Sequence, residues 1–159
     1  MKFFNLQNLT IAFLVCMGSP FSNSANAQAF KLQTQYAGIH VNENGFIVSM
    51  KDKKTGKEYC PGGMSSALMS LCDNKNQYIL PSKANYNVAK KEIDITYPNG
   101  SVAIIKVEQK KSYLRFQLLS LTKAENIDNI VWGPYKTTIS KKIGDIIGVV
   151  RSDDFAIGM

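Results

Sequence analysis

The side chains that could do chemistry in this sequence are few and far apart. They are His40, the Cys60 and Cys72 thiols, the Glu92 and Asp94 carboxylates, and a late group of Trp132, Tyr135 and Arg151. His40 is the only histidine, so it is the natural candidate for a proton-transfer group near neutral pH. It sits just before an Asn42-Glu43-Asn44-Gly45 turn with no carboxylate at a telling spacing, and an exposed strand position is the better account of it. Glu92 and Asp94 are two residues apart, which on a strand puts both on one face. Such a pair is more often a solvated face than an acid–base pair, and no catalytic residue is assigned. Two thiols and one distant histidine have no recognisable metal-ligand spacing, so no metal or other cofactor is expected.

Two alternatives stand for Cys60 and Cys72. In an oxidising compartment they would close a disulfide loop, contributing roughly 3 kcal/mol if unstrained. Otherwise they are small buried side chains on neighbouring strands. Two alternatives also stand for Trp132-Gly133-Pro134-Tyr135. Aromatic faces stack on the apolar face of a pyranose, and a Gly-Pro step can turn two rings the same way. Thr137, Thr138 and Arg151 would then add hydrogen bonds to hydroxyls or to an acidic sugar. The other account makes Trp132 a core residue at a strand end.

The elements that must position these residues are strands. Residues 91–97 alternate Ile93, Ile95 and Tyr97 against Glu92, Asp94 and Thr96. Pro98-Asn99-Gly100 turns the chain, residues 101–109 return, and after Lys110-Lys111-Ser112 the run from Tyr113 to Leu121 alternates Leu114, Phe116 and Leu118 against Arg115 and Gln117. This is an antiparallel meander with one buried and one wet face. Asn44-Gly45 marks a hairpin between Ile39-His40-Val41 and residues 46–50, with residues 30–36 as a first edge strand and Glu58-Tyr59 pairing again after the Asp52–Gly56 turn. Residues 65–71 have the length of either a strand or a short helix, and their surroundings favour a strand. Residues 77–80 form a short strand ended by Pro81. No helix of ordinary length is supported. The fold class is all-β, an antiparallel β-sandwich of short strands and hairpins.

Residues 1–27 read as a signal peptide. Lys2 precedes an apolar run from Leu9 to Gly18, and Ala25-Asn26-Ala27 gives a small-x-small cleavage site. The run is too short to be a transmembrane segment, which takes roughly 20 residues. Export to the periplasm or outside the cell follows, with cleavage after Ala27 preferred over a lipid anchor at Cys16, because Leu14 and Val15 do not make a lipoprotein site. Residues 28–159 are then one domain, incomplete at its C-terminal end on this reading because residues 155–159 look like a strand with no turn after them. The formal charge is +7, about +6 without Lys2. It lies mostly in Lys pairs at turns and strand edges, a common guard against edge association. Two arginines and scattered lysines do not make a nucleic-acid interface.

At residues 129–135 (Asn-Ile-Val-Trp-Gly-Pro-Tyr) and 143–150 (Ile-Gly-Asp-Ile-Ile-Gly-Val-Val) the sequence resembles the N-terminal β-sandwich of large secreted bacterial glycan-degrading proteins. Those domains are of the galactose-mutarotase-like, or supersandwich, type. The resemblance implies an accessory module of a glycoside hydrolase or polysaccharide lyase, a glycan partner, and a catalytic domain in a portion beyond Met159. The alternative is a structural or protein-interaction module of a cell-surface or periplasmic assembly.

Overall fold

The computed structural model describes residues 29–139, together with the backbone of three short strands further on. The signal-like segment, its cleavage site and Cys16 lie outside the described residues. Among the described residues every element is a β-strand, and no helix is long and apolar enough to cross a membrane.

One antiparallel sheet contains β1 (Phe30–Gln33), β2 (Ala37–Val41), β3 (Phe46–Asp52) and β4 (Ser66–Ala67), in that order. Leu68 then carries the chain directly into β5 (Met69–Asp73). That strand is flanked by β6 (Tyr78–Ile79) on one side and, from far along the chain, β11 (Ile127–Trp132) on the other. The third sheet is the meander of β7 (Lys83–Asn87), β8 (Glu92–Thr96), β9 (Val102–Gln109) and β10 (Leu114–Thr122), in the order β10-β9-β8-β7. The backbones of β12 (Lys142–Ile143), β13 (Val149–Arg151) and β14 (Ala156–Gly158) form a further antiparallel ladder.

The meander faces the other two sheets in a sandwich-like arrangement. Its inner side chains Ile93, Ile95, Ala103, Ile105 and Val107 have no exposed surface. Opposite them lie Leu32, Val41, Leu68, Met69 and Leu71, equally buried. The Phe30 ring of β1 meets the Tyr86 ring of β7, with centroids 5.4 Å apart. Tyr97, which follows β8, is buried to the hydroxyl and donates to the Met69 carbonyl at 3.1 Å. That bond ties the meander to β5, as a buried tyrosine needs a partner for its polar end.

The alternation read for β8 and β10 and the three-strand meander they form with β9 are therefore the observed ones, and the Asn44-Gly45 hairpin joins β2 to β3 as expected. Gly45 has φ of +87°, and its N–H donates to the Asn42 carbonyl at 3.0 Å. The 65–71 segment is strand apart from Ser65 and Leu68. Strand β7, not foreseen, pairs with β8 from Lys83↔Thr96 to Asn87↔Glu92.

Candidate functional site

The Trp-Gly-Pro-Tyr segment leaves the end of β11 and runs back along β4 and β5. Ser70 lies on β5 with no exposure, and its hydroxyl donates to the Gly133 carbonyl at 2.9 Å. The peptide between Gly133 and Pro134 is cis, and Gly133 has φ of +92°. A side chain there would have its Cβ 2.6 Å from the Tyr135 backbone nitrogen, so only glycine fits. The Tyr135 hydroxyl donates to the Leu68 carbonyl at 2.8 Å, and the Lys136 N–H donates to the Ser66 hydroxyl at 2.8 Å. Further on, the Thr138 N–H donates to the Tyr59 carbonyl at 2.8 Å, and Ile139 is buried in the core. The Thr137 hydroxyl accepts from the Ile139 N–H.

These bonds determine what the aromatic pair does. Trp132 is half-buried against the core, with its ring 6.1 Å from that of Phe116 on β10 and tilted by 34°. Tyr135 is half-buried too, and burial pushes its phenol well above the ordinary value, so it stays a neutral donor to Leu68. The structure thus brings Trp132 and Tyr135 into one strap, both partly buried and packed against the core. The side chain of Arg151 lies outside the described residues.

His40 sits half-buried on β2 between Lys31 of β1 and Ser49 of β3. Glu92 forms an ion pair with Lys106 at 3.7 Å on the outer face of the meander. Cys60 and Cys72 are both buried, and each is a free thiol in this structure. Cys72 lies on β5, whereas Cys60 lies in a loop rather than on a neighbouring strand. The Cys60 thiol is pushed up to about 11 by burial and by the neighbouring Glu58 charge. It is therefore protonated and a poor nucleophile at neutral pH.

Glu58 was not singled out by sequence, and among the described residues it is the most heavily bonded carboxylate. It accepts from the Ser49 hydroxyl at 2.6 Å and from the N–H groups of Met50 at 2.6 Å, Cys60 at 3.0 Å and Tyr59 at 3.1 Å. Burial works to raise its pKa, but the bonds from Ser49, Met50 and Cys60 outweigh it and hold the carboxyl below its ordinary value. Every oxygen is engaged in holding the end of β3 to the loop after it. Only the position of Glu58 after the Asp52–Gly56 turn could have drawn notice. Among the described residues no group of three or more His, Cys, Asp or Glu side chains could hold a metal ion.

The opening that remains is an edge. Strand β10 pairs with β9 alone among the described residues, and its inner side chains Leu114, Phe116, Leu118 and Leu121 are half-buried beside neighbours of zero exposure. Strand β11 is the edge of its own sheet, and the Phe116–Trp132 contact bridges the two edges. Tyr113, Leu119 and Ile130 are exposed along this side. No protein-family model, curated protein or solved structure matches the chain.

Proposed function

We propose that the chain is an exported β-sandwich module that acts through protein contact along its open sheet edge. The observation that carries this reading is β10, a nine-residue edge strand with Arg115 as its only charge. Natural edges of that length are usually guarded by charges, proline, a bulge or a covering segment; here the bulge comes only after Leu118, and the stretch before it can add a strand from another chain. Export rests on the signal-like residues 1–27. The strap from Trp132 to Ile139 supports a scaffold role, since the Gly133 carbonyl, the Tyr135 hydroxyl and the Lys136 and Thr138 N–H groups are bonded within the sandwich.

The competing reading is the glycan-associated module implied by the family resemblance, with Trp132, Tyr135 and Arg151 as contacts. Amide exchange on the dilute folded protein lacking residues 1–27 tests the first. An open edge leaves the N–H groups of Leu114, Phe116 and Leu118 exchanging quickly while Arg115 and Gln117 are protected. Protection of all five in the monomer means the edge is already covered, and the reading is lost. Calorimetry against plant and host glycans tests the second. A saturable heat that disappears in Trp132→Ala would establish sugar binding in its place.

A further inference from the structure

We infer that the occupant of the β10 edge is a second copy of this chain, paired antiparallel about a two-fold axis at Phe116. This rests on the open-edge reading above and goes further by fixing the partner and the register.

The backbone shows which groups of β10 its pairing with β9 leaves open among the described residues. The Lys110 N–H donates to the Tyr113 carbonyl, which makes these two residues a hydrogen-bonded pair at the hairpin. Bonded and non-bonded pairs alternate in an antiparallel ladder. With Arg115 opposite Glu108 and Gln117 opposite Lys106, those are the next bonded pairs. The Val107 N–H supports the same phase, because it points the other way, to the Lys91 carbonyl beside β8. The N–H and C=O groups of Leu114, Phe116 and Leu118 therefore face the open side.

An antiparallel partner centred on Phe116 sets Leu114 opposite Leu118 of the second copy and Phe116 opposite itself. Every outward backbone group in this stretch then meets its complement. On the outer face Arg115 comes opposite Gln117 of the second copy, so no like charges meet. Tyr113, 52% exposed, comes level with Leu119 of the second copy, 49% exposed. These are the two large apolar side chains that β10 and its hairpin turn leave in water, and the two-fold brings each to the other. The irregularity between Leu118 and Ser120 bends the strand there and ends the ladder. The interface is isologous, and its short ladder places it among small, reversible interfaces.

The test is light scattering and sedimentation over a concentration series on the protein lacking residues 1–27, with circular dichroism as the check on folding. Gln117 is exposed, so Gln117→Glu and Gln117→Arg leave the core untouched. Gln117→Glu meets Arg115 of the second copy twice by symmetry and tightens the dimer by about three- to tenfold; Gln117→Arg weakens it by a similar factor. Leu119→Lys weakens it as well. A dimer indifferent to all three substitutions overturns the register and the interface. A folded monomer at every concentration also overturns the dimer, and the amide exchange then separates two cases. Unprotected Leu114, Phe116 and Leu118 leave the edge open to a different protein, whereas protected ones end the open-edge reading too.

Discussion

Buried hydroxyls do more here than the acid–base residues a sequence scan finds first. Tyr135 donates to Leu68 and Tyr97 to Met69, so two tyrosines bond consecutive residues at the start of β5. Removing the Tyr135 hydroxyl leaves a carbonyl in the sandwich without that donor, and Tyr135→Phe is expected to cost about 1–2 kcal/mol in urea unfolding. If Tyr135→Phe is as stable as the parent, the strap is not what closes this side. Glu58 gives a second prediction, with a definite sign. Its pKa is lowered in the folded chain, so its contribution is complete above the unfolded carboxylate value of ~4.3 and is lost as pH falls through the folded pKa. Glu58→Gln should flatten that part of the acid limb, read as the difference between urea midpoints of variant and parent from neutral pH downward. Parallel curves would mean that Glu58 is not hydrogen-bonded as described. Neither role was legible in the sequence, because both depend on partners from elsewhere in the fold: Leu68 lies far from Tyr135 along the chain, and Ser49 and Met50 reach Glu58 only once the turn has closed.

Strands with a clear apolar signal were legible, whereas a weakly apolar strand and the pairings between distant strands were not. In β8, β9 and β10 the alternation has a period of two, the turns carry Asn-Gly or Lys-Lys-Ser, and each strand pairs with the next, so pattern and topology agree. Strand β7 escaped notice because Lys83-Ala84-Asn85-Tyr86-Asn87 turns only Ala84 and Tyr86 toward the core, too weak an apolar signal. The pairing of β11 with β5 runs from Ile127↔Asp73 to Trp132↔Met69, a separation along the chain that no local pattern encodes. The β2–β3 hairpin was legible, but not its second duty. Gly45 is buried, and a Cβ added there would lie 3.1 Å from the Pro81 Cβ and 3.4 Å from the Ala84 Cβ. The turn therefore packs onto the start of the meander and must stay bare. Gly45→Ala combines an unfavourable positive φ with that crowding and should lower stability by at least about 1 kcal/mol. A neutral effect in thermal unfolding would show that this junction has room to relax.

At the scale of the whole molecule, the chain has a single tryptophan, and its position makes it a reporter of how the layers hold together. Trp132 ends β11 in one layer, and its ring partner Phe116 lies on β10 in the other. Both residues pack on the buried cluster that extends to Ile93, Ile105 and Leu71. If the sandwich unfolds as one cooperative unit, the fluorescence change from separating these rings and the loss of strand signal in circular dichroism share one urea midpoint. That outcome is expected, because Tyr97 and the Tyr135 strap link the open side to the same β5 segment that anchors the core. An earlier fluorescence transition would instead mean that β10 and β11 part from each other before the core melts, as a local unit of lower stability. The same measurement bears on the edge. A second copy added along β10 binds only the folded sandwich, so raising protein concentration should carry both midpoints upward together.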